Sequence, residues 1–118
     1  MKKISRNMFK GAAAAAVLAL ALTGCSSAPS VDYKACAVSD EGSWNDKSFN
    51  QSVYDGLTKA KTELGVQTAD AESNSSEDFA PNLQAMVDEA CDVTFAVGFN
   101  LVDAVNATAE ANPDMNFV

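Results

Sequence analysis

From Val31 to Val118 the spacing of apolar side chains switches repeatedly between the two-residue period of a strand and the roughly 3.6-residue period of a helix. Few folds accommodate that alternation. Tyr33 to Ser39 reads as a short strand ending at Asp40-Glu41-Gly42. A helix follows, with Phe49, Val53, Leu57, Ala60 and Leu64 at spacings of four, four, three and four. Asn45 or Asp46 is placed to cap its start, and Gly65 to end it. Val66 to Glu72 is the next expected strand, and Ser73 to Glu77 a loop in which Ser76 is placed as a cap. The second helix puts Phe79, Leu83, Met86, Val87 and Ala90 on one face, with Pro81 in its first turn, where a missing N–H costs little. Val93 to Val97 is an apolar strand broken by Gly98-Phe99-Asn100. A third helix runs from about Leu101 to Glu110 and stops before Pro113. Met115 to Val118 opens a fourth strand.

Strands alternating with helices predict an α/β fold: a doubly wound parallel sheet with helices on both faces. Right-handed crossovers in the usual winding order place the first strand between the second and the third. Ligands of such sheets lie beyond the carboxyl ends of the strands, where the connections leave for opposite faces. The two diverging loops here are Asp40 to Ser48 and Gly98 to Asp103. Topology alone therefore nominates a site.

The first 24 residues belong to a different kind of segment. Residues 1 to 10 are basic and polar, and Gly11 to Leu22 is an uninterrupted apolar run of 12 residues. Crossing the hydrocarbon core of a bilayer takes roughly 20 residues, so this run has the length of a signal-peptide core rather than a permanent span. Leu22-Thr23-Gly24-Cys25 resembles the lipobox of bacterial lipoproteins, in which the cysteine sulfur carries diacylglycerol and the chain is cut just before it. The expected organisation is a signal peptide over 1–24, a lipidated Cys25 with a flexible Ser/Ala/Pro tether over 25–32, and a folded part over 33–118. The resemblance implies a protein anchored by lipid on the extracytoplasmic face of the cell membrane.

Charge narrows the partners. All 16 acidic residues follow Cys25, whereas only four of the eight basic ones do. Removal of the first 24 of 118 residues leaves 94 with a formal charge of −12. Such a surface repels nucleic acid. The chain has no histidine, which removes the commonest general base and the commonest metal ligand. No Cys/His metal spacing or phosphate-cradling glycine loop is present, and no cofactor is expected.

At the first diverging loop the residues resemble a known family. Ser39-Asp40-Glu41-Gly42-Ser43-Trp44-Asn45-Asp46-Lys47-Ser48-Phe49-Asn50-Gln51 is similar to the signature of the basic membrane lipoproteins, purine-nucleoside-binding lipoproteins of ABC importers. The likeness continues through Gly56-Leu57, Glu72-Ser73-Asn74, Ala80-Pro81-Asn82-Leu83, and Gly98-Phe99 with Asp103-Ala104. It implies a two-lobed fold of the type I periplasmic-binding-protein kind that closes on its ligand, of which residues 33–118 supply part of the N-terminal lobe. It also implies delivery to ABC permease subunits.

A purine nucleoside offers two aromatic faces, a polar base edge and ribose hydroxyls. Phe49 is placed to stack on the base, and Asp40 at the tip of the first strand to accept from a base amino group or ring N–H. Asn45 can donate and accept, as amides do when they read a purine edge. Asp46 can accept, or simply cap the helix. Phe99 and Asp103 lie across the expected crevice, where the resemblance implies further base or ribose contacts. Bland readings stand beside these: Phe49 heads an apolar stripe, and Asp103 fits an ordinary solvated helix charge. Neither loop clusters arginine or lysine, which favours a nucleoside over a nucleotide. Trp44 and Glu41 depart from the family pattern; Trp44 can line the pocket, lid it, or lie exposed.

A sugar or other hydroxylated solute suits the same residues. An exported hydrolase would need carboxylates such as Asp40 and Asp46 as its acid and base, yet both sit in the loop assigned to ligand capture. Cys36 in the first strand and Cys91 just before the third belong to neighbouring strands. Outside the cytoplasm a disulfide and two buried thiols are both open to them.

Overall fold

A computed structural model describes residues 29–118, and the apolar run, the lipobox-like motif and Cys25 lie outside the described residues. The elements are β1 (Lys34–Ser39), α1 (Phe49–Leu64), β2 (Gln67–Ala71), α2 (Phe79–Asp88), β3 (Val93–Val97) and α3 (Val102–Ala111), with single 3₁₀ turns at Ser76–Asp78 and Phe99–Leu101. The three strands form a parallel sheet in the order β2-β1-β3. Cys36 at the centre of β1 lies opposite Ala69 on one side and Thr94 on the other. This is the winding that right-handed crossovers require.

The helices divide between the two faces. α2 and α3 cover one side through a core of Cys36, Val38, Phe79, Leu83, Met86 and Leu101, into which Cys91 also packs. Leu83 and Leu101 are almost wholly buried, each removal from water contributing roughly 1.5–3 kcal/mol. α1 covers the other side through Leu57, packed on Ala35 and Ala37. Those two alanines fill little space, and an apolar cavity of about 470 Å³ remains between α1 and the sheet.

The ends of the elements differ from the sequence reading in instructive ways. Tyr33, Val66 and Glu72 fall outside the strands, because β1 and β2 pair only from Lys34↔Gln67 to Val38↔Ala71. α1 begins at Phe49 rather than directly after Asn45 or Asp46, and Gly65 ends it at φ 71° in the left-handed region. Ser75, not Ser76, closes the capping box with Asp78. Ala90 lies beyond α2 at φ 53° and is exposed, so the buried stripe of that helix is Phe79, Leu83 and Met86. The expected fourth strand is present as a parallel bridge of Phe117 to Thr94 on the outer edge of β3. Backbone bonds Thr94 N–H to Asn116 O (2.9 Å) and Ala96 N–H to Val118 O (2.8 Å) hold it there.

Candidate functional site

β1 and β3 end side by side, and their chains leave for opposite faces of the sheet, β1 toward α1 and β3 toward α3. The gap between them is a cleft of about 910 Å³, walled by Asp40, Asp46, Phe49 and Asn50 from the first loop and by Gly98 and Phe99 from the second. Its position follows from the winding, since only at a reversal of direction do two loops part without filling the space between them.

Asp40 sits at the floor. Its backbone N–H donates to the carbonyl of Val97 (2.9 Å), so the residue is an extension of the sheet. Its Oδ1 accepts from the Gly42 N–H (3.0 Å) and from Nδ2 of Asn50 (2.8 Å). Its Oδ2 meets no donor among the described residues and is left with open acceptor positions. Gly98 permits this arrangement. It adopts φ 121°, and a Cβ there would stand 2.1 Å from Asp40 Oδ2.

Asp46 does a different job. Its Oδ1 accepts the N–H groups of Ser48 (2.7 Å) and Gln51 (3.0 Å), and Oδ2 that of Asn50 (3.1 Å). Ser48, at the helix boundary, makes no side-chain capping bond. Asp46 thus satisfies the open end of α1 from two residues upstream. Desolvation acts to raise its carboxyl, but the backbone N–H groups of Gln51, Ser48 and Asn50 outweigh it and hold the carboxyl below its ordinary 3.8. A lowered folded value means stabilisation that is complete above the ordinary value and lost as pH falls through the folded one. Asp46→Ala is therefore expected to lower the melting temperature by several degrees at pH 7. The gap between variant and wild type should hold down to pH 5 and close below about pH 4 in thermal melts. A gap independent of pH would show that charge on Asp46 is immaterial.

The two rings are the most exposed large apolar groups of the wall. Phe49 is 78 % exposed and Phe99 92 %. Phe49 heads the apolar stripe of α1 but lies in its first turn, past the ends of the strands, where no sheet is left to cover it. Phe99 stands on the 3₁₀ turn leading into α3, whose neighbour Leu101 is the one turned into the core.

Two other expected residues do not join the cleft. Asn45 is exposed and engages through its backbone N–H with Ser43 Oγ (3.2 Å), because left-handed turns at Ser43 (φ 61°) and Lys47 (φ 55°) swing the middle of the loop away. Asp103 is exposed in the first turn of α3. At about 100° per residue it lies roughly 200° round the helix from buried Leu101, outside the lining. The sequence reading missed Asn50, an amide 97 % buried (3 % relative exposure). Its signal was available, since a polar residue beside the apolar stripe of a helix needs a partner once covered. It also missed Asn100, whose Nδ2 donates to Glu41 Oε2 (3.1 Å) and ties the two loops together. Among the described residues there is no group of three metal-binding side chains, and no helix is long and apolar enough to cross a membrane.

Residues 33–118 match a family described as ABC transporter substrate-binding protein, PnrA-like (Bmp). The chain belongs to the Bmp family. That is a family of solute-binding proteins rather than enzymes, and the two carboxylates weighed as an acid–base pair are accordingly a floor acceptor and a helix cap. Among Bmp relatives, the ABC transporter nucleoside-binding protein BmpA of Lactococcus lactis is 35 % identical over 100 residues, covering 81 % of this chain and 28 % of that protein. Basic membrane protein A of Borreliella burgdorferi is 32 % identical over 77 residues, 65 % of this chain and 22 % of that one. The chain thus spans about a quarter of the length of these relatives. A solute-binding protein of an ABC transporter system from Aeropyrum pernix superposes with a TM-score of 0.64 at 24 % identity, over 72 % of this chain and 23 % of that chain. The last likeness establishes the fold: the α/β sheet seen here is the one solute-binding proteins use.

Trp44 is not among the residues that line the cleft. Its ring stacks on Tyr54 of α1 with centroids 5.4 Å apart and packs against the Leu57 cluster on the α1 side of the sheet.

Proposed function

We propose that this protein is the extracytoplasmic solute-binding component of an ABC importer, anchored through lipid on Cys25, and that its ligand is a purine nucleoside. The observation that carries the reading is the cleft wall itself: two largely exposed aromatic rings, Phe49 and Phe99, beside a carboxylate oxygen of Asp40 with no donor among the described residues. An exposed ring in water is costly to keep unless something covers it, and a planar base covers it well. The Asp40 carboxylate then accepts from base or ribose donors. The residues lining the cleft include three carboxylates and no cation, which leaves a phosphate without compensation. The nucleoside named for the Lactococcus relative agrees with this chemistry. Permease subunits are the proposed recipients of the ligand.

Calorimetric titration of the complete protein with guanosine, inosine and adenosine is the direct test, and micromolar or tighter binding is expected. Heat with a sugar and none with any nucleoside would overturn the ligand. Phe49→Ala and Phe99→Ala should each weaken binding by roughly tenfold, since a base–aromatic stack is worth about 1–3 kcal/mol. Neither should alter the unfolding midpoint much, because each ring gives up little buried surface. A large loss of stability with unchanged affinity would instead make these rings packing residues.

A further inference from the structure

The loop between β1 and α1 has no regular structure over Asp40 to Ser48, yet it bears much of the cleft wall. Two of its non-glycine residues, Ser43 and Lys47, occupy the left-handed region. Such residues persist only where the surroundings hold them. Between them stands Trp44, half-buried, the only tryptophan in the chain. Its indole Nε1–H donates to Asp70 Oδ2 on β2 (3.1 Å), and its backbone N–H donates to Glu72 Oε2 just past that strand (2.9 Å). Its ring lies on Tyr54 of α1 with only 25° between planes. Two of these partners belong to β2 or the residue just past it, and the third to α1. On the β3 side, Glu41 accepts from Asn100 and the Asp40 N–H donates to the carbonyl of Val97. The loop is stretched between two anchorages, one at the cleft and one behind it.

We propose that Trp44 is a positioning residue for ligand capture: latched to Asp70 and Tyr54, it holds the β1–α1 loop in the strained shape that presents Asp40 and Glu41 to the ligand. The proposal rests on reading the cleft as the ligand site. Trp44 touches no ligand and acts through the loop. With the latch open, Ser43 and Lys47 relax to ordinary backbone conformations, and the wall they hold shifts. A tryptophan that merely filled the core would show no dependence on a single acceptor on β2.

The test uses the complete protein, with Trp44→Phe, Trp44→Ala, Asp70→Ala and the Trp44→Phe/Asp70→Ala double variant. Asp70 is exposed and does not line the cleft. Two readouts are taken: affinity for a purine nucleoside by calorimetry, and amide hydrogen exchange over residues 41–48 without ligand. Trp44→Ala should speed exchange across that loop and weaken affinity, each by about tenfold. Trp44→Phe keeps the stack and loses the indole bond, so it should cost about threefold, as should Asp70→Ala. The double variant should cost no more than either, because both remove one bond. Multiplying costs, or unchanged loop exchange in Trp44→Ala and Asp70→Ala, overturns the latch. Should the wild type bind no nucleoside, the ligand assignment fails, and exchange over 41–48 alone decides the latch.

Discussion

Gly98→Ala is expected to weaken ligand binding by roughly a hundredfold or more and to destabilise the fold by about 3 kcal/mol. Two independent costs converge on this one position. The backbone there holds φ 121° and ψ 139°, a region open to glycine and strained by about 1–3 kcal/mol for any other residue. The added methyl carbon would also stand 2.1 Å from Oδ2, 2.4 Å from Cγ and 2.7 Å from Cβ of Asp40. Asp40 has no retreat. Its Oδ1 is held by Gly42 and Asn50, and its N–H is bonded to Val97 within the sheet. Either the end of β3 or the floor of the cleft must move. Chemical denaturation and calorimetric titration read the two effects separately. Adding Asp40→Gly to Gly98→Ala removes all three close contacts but leaves the backbone strain. The double variant should therefore recover part of the stability and none of the binding. A Gly98→Ala protein that unfolds and binds like wild type would show that Asp40 does not form the floor.

The second large effect concerns Cys36 and Cys91, joined by a disulfide with Cα atoms 6.0 Å apart and a sequence separation of 55. The bond links β1 to the segment entering β3, the two strands whose loops make the cleft. Closing a loop of that length limits the unfolded chain, and Cys36→Ala/Cys91→Ala is expected to cost roughly 4 kcal/mol. Both sulfurs also lie in the α2–α3 core, buried beside Leu83 and Met86, so their loss leaves a void that adds to the cost. A lowered denaturant midpoint with an unchanged slope is the expected signature. Alkylation of the denatured, unreduced protein should modify neither residue. Modification of both would mean that the pair exists as thiols, and the predicted loss of stability should then be small.

The contrast between Asp40 and Asp46 shows where sequence reasoning reached its limit. Both are carboxylates in one loop, ten residues or fewer from the helix they precede, and both fit the role of hydrogen-bond acceptor. Only the path of the chain separates them. One continues the sheet and keeps an oxygen open, while the other spends its oxygens on three N–H groups at the start of α1. Phe49 raises the same issue: at a stripe position it reads equally as core or as contact, and the end of the sheet beneath it leaves it exposed. Asn45 and Asp103 belong to the two loops but stand outside the cleft lining, since left-handed turns and the phase of a helix rotate a side chain without changing its neighbours in sequence. Asn50 and the Trp44–Asp70 contact join residues 10 and 26 positions apart. No local pattern announces such pairs.

What the amino-acid order determined by itself was the alternation of strands and helices, the parallel sheet with β1 at its centre, and the two loops between which a ligand site must lie. Those features follow from periodicity and handedness, which act over a few residues or through the topology of the whole. The tertiary structure decided which side chains of those loops face the cleft, which are spent on capping and latching, and why position 98 must be glycine. Each of those depends on the rotation of a few backbone dihedrals and on contacts across the sheet, quantities that residue order constrains only once the chain has packed.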